Sequence, residues 1–245
     1  MRLLLGLLVA GLAAHQADAA ESPCAGTPAG TGVAAAVQDG RTLTLVDGRE
    51  VRLAGIEAPA NNAALQALVS GQTLRLERVA DDRYGRLVAY VYSAAETQPV
   101  QFALLEAGQA RVAARSTGKT CTDALLAAER AARTAGRGRW SDPNFAPLSS
   151  ENLTMLAAAR GHFALVEGQV LSVRESGATI YVNFGRRWTR DFAATIPKRE
   201  SRAFASAGVD LKALQGRRVR VRGILEQRRG PIIDVTSASQ IELID

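Results

Sequence analysis

Apolar side chains recur at every second position in several short runs of this sequence, which are cut by Gly, Pro, Asn and Asp. A period of two sends alternate residues to opposite faces of a strand, so the pattern demands sheets with one buried face and tight turns. Arg41 to Leu45 and Glu50 to Leu53 flank Asp47-Gly48, a favoured hairpin turn. Strands are also predicted at Thr73 to Val79 and Gly85 to Tyr92. Asn61 to Val69 instead carries helical spacing at Leu65, Leu68 and Val69 and stops at Gly71. Two further helices are predicted at Val100 to Ala107 and Thr122 to Ala135, the second turning Leu125, Ala128, Ala132 and Ala135 inward. Before all of these, residues 20–32 read as an extended N-terminal segment rich in Gly, Pro, Ala and Thr.

The stretch from Asp142-Pro143-Asn144 to Pro147-Leu148-Ser149-Ser150 is the clearest break in the chain, and residues 144–162 read as a linker followed by a helix at Glu151 to Arg160. Beyond it come strands at Phe163 to Val173, Thr179 to Phe184, Asp191 to Ile196, Arg217 to Leu225, Ile232 to Thr236 and Gln240 to Ile244, with a helical insertion at Lys198 to Ala207. Three strands, a helix and then more strands is the order expected of a five-stranded oligomer-binding barrel at 163–245. At 47% hydrophobic and 22% charged, the chain can bury a core, which excludes wholesale disorder. Its net charge of +6 suits a polyanionic partner. Residues 144–245 hold 15 basic and 10 acidic side chains, against 14 and 13 in residues 20–143, so the second unit is the basic one.

Arg2 precedes a twelve-residue apolar run, Leu3 to Ala14, which is followed by Ala17-Asp18-Ala19, the small-x-small pattern of signal peptidase. Twelve residues fall short of the roughly 30 Å of hydrocarbon that a spanning helix crosses. Residues 1–19 are therefore expected to be a signal peptide cleaved near Ala19, leaving a secreted or periplasmic chain with no membrane span; an uncleaved anchor is the alternative. Cys24 and Cys121 are the two cysteines, an even count that in an oxidising compartment predicts one disulfide. Two unpaired thiols are the alternative. His15 and His162 are too few for a Cys/His metal site.

Three segments in order carry a resemblance: Val37-Gln38-Asp39-Gly40-Arg41-Thr42-Leu43, Val51-Arg52-Leu53-Ala54-Gly55-Ile56-Glu57-Ala58-Pro59-Ala60, and Asp81-Asp82-Arg83-Tyr84-Gly85-Arg86-Leu87. Residues 33–143 resemble a staphylococcal nuclease-like (thermonuclease-like) domain, with further likeness at Leu104 to Ala110 and Gly138 to Ser141. The resemblance implies a five-stranded barrel with three packed helices. The whole chain is then mainly β with packed helices (α+β), built as tandem oligomer-binding-type barrels. Active members are expected to cleave DNA or RNA with calcium, using carboxylates on the metal, a carboxylate that readies water, and two arginines on the phosphate.

By that resemblance Arg52 and Arg86 match the two arginines, Tyr84 matches a phosphate-contacting position, and Arg83 keeps a basic side chain. The acidic half departs from the pattern. Arg41 stands where a calcium-binding Asp is usual, Glu57 replaces the second Asp, Ala58 replaces Thr, and Ala60 replaces the Glu that handles water. The two tyrosines expected further on fall at Ala114 and Ser116. Loss of a positioned acid or base lowers rate about 10²- to 10⁴-fold, and loss of metal charge lowers it further. Arg52, Glu57 and Arg86 are thus read as a vestigial catalytic set with no metal and no cofactor, and Arg41, Arg52 and Arg86 as an anion pocket. The bland alternatives are surface arginines, or Arg41 turned to solvent with Asp39 or Glu57 rescuing a weak calcium site.

In the second unit, period two places Arg218, Arg220 and Arg222 on one face and sends Val219 and Val221 into the core. Arg186, Arg187 and Arg190 cluster around Trp188. Basic strands with aromatics can hold single strands of nucleic acid, while a solvated arginine face, paired to Glu226 and Asp234, is the alternative. The combined expectation is an exported, catalytically impaired nuclease-fold protein that binds nucleic acid or another polyanion. A weak calcium-dependent nuclease and a non-catalytic envelope scaffold are the other readings.

Overall fold

The computed structural model describes residues 22–94, 96–115 and 118–244, so the expected signal peptide lies outside the described residues. In the first unit the elements run β1 (Thr27–Asp39), β2 (Thr42–Leu45), β3 (Glu50–Leu53), β4 (Ile56–Glu57), α1 (Ala63–Val69), β5 (Thr73–Asp81), β6 (Leu87–Ser93), α2 (Val100–Glu106), β7 (Arg111–Val112) and α3 (Lys119–Thr134). Five strands close a barrel in the order β1-β2-β3-β6-β5, with β3 and β6 parallel. β1 reaches further back than the sequence suggests. Thr27 to Val33, which include residues expected to precede the domain, pair with Arg78 to Thr73 of β5. Composition marks this stretch as loop-like, but main-chain pairing is indifferent to side chain and recruits it. Alternation then fills the barrel with Leu43, Leu45, Val51, Leu53, Leu74 and Leu76, all essentially sealed from solvent.

β6 is buried on both faces because α2 covers its outside, and Gln101 of α2 donates to the Ala89 carbonyl at 2.9 Å. Cys24 and Cys121 form the expected disulfide, tying the chain before β1 to α3 across 97 residues of sequence. Tyr90 and Tyr92 are buried packing residues, and the Tyr92 hydroxyl donates to the Cys24 carbonyl at 2.6 Å.

The second unit runs β8 (Leu148–Ser149), α4 (Leu153–Ala158), β9 (Phe163–Gln169), β10 (Ser172–Ser176), β11 (Thr179–Asn183), β12 (Ala193–Pro197), α5 (Ser201–Ser206), β13 (Arg218–Gln227), β14 (Pro231–Asp234) and β15 (Ile241–Leu243). β9 and β10 are successive segments separated by Val170 and Leu171; β9 pairs with β13 and β10 with β11. From β11 the pairing passes to β12, then parallel to β14, then to β13. The path therefore returns to the segment it started from, with one parallel step, as in the first barrel. Val166, Val182, Ile196, Phe204, Val219, Val221 and Ile233 fill it.

The stretch between the barrels is packed rather than free. Phe145 is buried against Trp140, ring centroids 4.9 Å apart, in a cluster with Ala132 and Leu165. Arg111 of β7 reaches the same place, stacking on Phe145 and donating to the Phe163 carbonyl at 3.1 Å. Burial pushes its guanidinium down to about 10, partly offset by Glu129.

The arginine face of β13 also lies in this junction, which corrects the expectation of an exposed basic surface. Val219 and Val221 do enter the core, and Arg218 is exposed. Arg222, however, is 0% exposed and donates through both terminal nitrogens to Glu129 of α3, at 2.9 and 3.1 Å. Arg220 stands between Glu167 and Glu242 on the neighbouring strands and pairs with both. Arg133 joins Glu129 at 2.7 Å and Glu242 at 3.4 Å. Glu226 and Asp234 pair with Arg228 instead. Period two placed the arginines on one face correctly; what covers that face is a helix distant in sequence.

Removing one member of a buried pair strands the other charge, at about 3 to 5 kcal/mol. Arg222→Met is expected to lower unfolding stability in urea by about that amount, and the double variant Arg222→Met, Glu129→Leu to recover most of it. Acid should act on the same cluster. Burial opposes ionisation of Glu242, but Arg220, Arg222 and Arg133 outweigh it and hold its carboxyl below the usual range. The stability it contributes is complete above the unfolded value of about 4.3 and is lost as pH falls through the depressed folded value. Urea midpoints measured from pH 6 down to 3 are expected to show that loss, and Glu242→Gln to flatten it.

Candidate functional site

The three resemblance segments converge because of strand register. Thr42 of β2 pairs with Arg52 of β3, and Arg52 pairs with Val88 of β6. Arg41, Arg52 and Arg86 are therefore brought to one end of adjacent strands. The turn from β1 to β2 is held by Asp39, whose two oxygens accept the Arg41 amide at 2.8 Å and the Thr42 hydroxyl at 3.2 Å. Gly40 is required by close approach: a Cβ there would stand 2.5 Å from the Pro59 carbonyl. Its amide donates to that same carbonyl at 3.1 Å, which folds the 57–60 segment over the turn.

On this scaffold Arg41 forms an ion pair with Glu57, and both side chains are mostly buried. The Arg41 guanidinium also reaches the Ile56 carbonyl at 3.5 Å. Arg86 makes two contacts to Asp82 Oδ2, from Nε and from a terminal nitrogen, each 2.7 Å. Asp82 Oδ1 meanwhile accepts the amides of Tyr84 at 2.9 Å and Arg86 at 3.1 Å, and Gly85 takes the positive φ of 78° that closes the turn. Desolvation works against the Asp82 carboxylate, but the Arg86 bonds and these amides prevail and hold it below the usual carboxylate range. Arg83 and Arg86 lie over the exposed Tyr84 ring, at 4.8 and 5.2 Å.

Arg52 is the unpaired member: it is half-buried, and no carboxylate forms an ion pair with it among the described residues. Burial lowers its pKa, and repulsion from Arg41 and Arg86 adds to that, while Glu57 and Asp39 act in the opposite sense. A guanidinium stays protonated under such a shift.

Calcium takes six to eight oxygen ligands, mostly carboxylate and carbonyl. Both Asp39 oxygens serve the turn, Glu57 serves Arg41, and positions 58 and 60 are alanines, so these residues do not fit a calcium ion. No group of three or more His, Cys, Asp and Glu side chains suited to a metal occurs among the described residues. Ala60 is exposed and Ala114 partly buried, while Ser116 lies outside the described residues. From the second unit, Arg220 and Arg222 belong to the junction rather than to this site, and Trp188 is 61% exposed on a separate loop. Sequence reasoning left Asp82 without a role and did not single out Glu129. The signal for Asp82 was its place four residues before Arg86; Glu129 has Arg133 at the same spacing, but nothing local pointed to Arg222, 93 residues away.

A family model described as staphylococcal nuclease homologue matches residues 50–142. Two curated relatives, each described as "Uncharacterized endonuclease", come from Escherichia coli O157:H7 and Escherichia coli. Each is 32% identical over 123 residues, covering 45% of this chain and 77% of the relative.

The Asp82 turn gives a direct check on this geometry. Its carboxyl is expected to titrate below the ordinary aspartate value of about 3.9 when followed by NMR, and Arg86→Ala to move it back upward.

Proposed function

The chain belongs to the staphylococcal nuclease homologue family, and from that we propose that it is an exported nuclease-fold protein that holds nucleic acid, or a similar phosphate-bearing polymer, without cleaving it. The observation that carries the reading is the unpaired, half-buried Arg52 between Arg41 and Arg86, whose own charges are answered by Glu57 and Asp82. A phosphodiester arriving at Arg52 relieves repulsion that the fold otherwise sustains, and a guanidinium can donate two hydrogen bonds to its oxygens. Arg83 and the exposed Tyr84 stand at the rim, where a neighbouring phosphate or sugar would pass.

Cleavage needs a group that readies water and a charge that stabilises the departing oxygen. Ala60 offers neither, and Glu57, locked to Arg41, is not free to act as a base. Export is supported by the Arg2 to Ala19 pattern and by the Cys24–Cys121 disulfide, a bond that persists in oxidising compartments. The relatives' printed description favours a second reading, weak phosphodiester hydrolysis that uses Glu57.

Binding and cleavage separate in one experiment. Oxidised protein is incubated with labelled single-stranded DNA, with calcium or with chelator. Binding without turnover is expected in both, weakening with salt at a log–log slope of about −2 for three phosphate contacts to a single strand. Arg52→Ala should lower affinity, and Glu57→Gln should raise it by releasing Arg41. Calcium-dependent turnover that disappears in Arg52→Ala would establish the second reading instead.

A further inference from the structure

The second barrel carries an exposed site built from two loops. One joins β11 to β12 and presents Arg186, Arg187, Trp188, Thr189 and Arg190; the other joins β13 to β14 and presents Arg228 and Arg229. The first is an ordered turn. Arg190 and Asp191 donate their amides to the Arg187 carbonyl at 2.8 and 2.7 Å, and the Asp191 carboxylate accepts the Arg187 amide at 2.8 Å. Gly185 and Gly230 let the pieces close up: a Cβ on Gly185 would stand 2.2 Å from an Asp191 oxygen, and one on Gly230 would stand 2.9 Å from the Asp191 carbonyl. The second loop is thereby seated on the first, and Arg229 lies over the Trp188 ring with its guanidinium carbon 4.8 Å from the centroid.

Two features point to a ligand. Large aromatics are scarce in this chain, and one of its two tryptophans is spent on the surface, 61% exposed. Around it, Arg186, Arg187, Arg190 and Arg229 are exposed and form no ion pair among the described residues, whereas neighbouring Arg228 is tied to Glu226 and Asp234. The nearby acid, Asp191, is committed to the turn. Four uncompensated guanidiniums on a preformed knuckle raise a strong positive potential. The indole at its centre has no second large exposed apolar side chain on either loop, so there is no wedge of the kind a bilayer surface accepts.

We propose that this knuckle binds single-stranded nucleic acid, Trp188 stacking on an unpaired base while Arg186, Arg187, Arg190 and Arg229 meet the flanking phosphates. The choice of nucleic acid over other polyanions rests on the function proposed for the first barrel; the site itself does not. Stacking needs a base face that a duplex hides, so single strands are preferred. Arg229 over the indole pre-organises the ring and adds its own charge to the phosphate path.

Trp140 is buried and Trp188 exposed, so intrinsic fluorescence of the full oxidised chain reports on the knuckle. Titration with an oligothymidylate is expected to quench part of the emission. Trp188→Ala should abolish the quench and weaken binding about tenfold, within the range for loss of one stacked base. Trp188→Phe should lose the optical signal yet keep affinity within a few-fold. Arg52→Ala should lower overall affinity yet still give the quench at saturating oligonucleotide, so failure of the first-barrel site and failure of this one are distinguishable. The proposal is overturned if Trp188→Ala binds the oligonucleotide as tightly as the parent chain, or if a duplex of the same length quenches equally. It is also overturned if vesicles containing phosphatidylglycerol shift the emission to the blue while the oligonucleotide leaves it unchanged.

Discussion

Glu129 is a fully buried carboxylate on α3, and it answers three elements at once. It accepts the Val112 amide of β7 at 2.5 Å, both terminal nitrogens of Arg222 from β13, and Arg133 from its own helix. A charge so deep is tolerable because its oxygens are occupied, and both terminal nitrogens of Arg222 are likewise paired, although its Nε has no hydrogen-bond partner among the described residues. The consequence reaches the candidate site. β7 pairs with β4, where Arg111 lies opposite Glu57, and Glu57 is the residue that holds Arg41. The junction between the barrels thus sets the position of the strand that supports the anion pocket. The second barrel is joined to the first unit through hydrogen bonds and packed rings rather than through a loose tether.

Within the pocket, two of the three guanidiniums are matched by carboxylates and one is left over. The pairs hold Arg41 and Arg86 in place and draw the carboxylates away from any role on a metal or a water. That composition is what the proposed reading, phosphate binding at Arg52 without cleavage, rests on.

The arginines of the second barrel divide sharply by environment. Arg220 and Arg222 are internal, each surrounded by acids on neighbouring strands or on α3, and they serve the architecture. Arg186, Arg187, Arg190 and Arg229 are external around an exposed indole and form no ion pair among the described residues, so a ligand on them would leave the junction intact. Abundance of arginine in the chain is therefore a poor guide to binding. What separates the two groups is the presence of a partner carboxylate, not the residue type.

Local pattern carried much of this. Alternation, Asp-Gly and helical spacing located most strands and helices of both barrels, because which face of a strand is buried follows from side chains two apart. The motif segments named the family and predicted that Arg41, Arg52, Glu57 and Arg86 would meet, since register in a closed barrel follows from turn geometry. The compartment argument paired Cys24 with Cys121. Other features had no local signal. The Gly- and Pro-rich start of β1 joins the barrel through backbone bonds that any composition can make, and Phe145 in the apparent linker is buried by rings from outside it. Whether Arg222 faced water or Glu129 depended on how α3 packs against β13, 93 residues apart. A period of two specifies a face; the element that comes to rest on that face is chosen by long-range packing, and so is the charge state of everything beneath it.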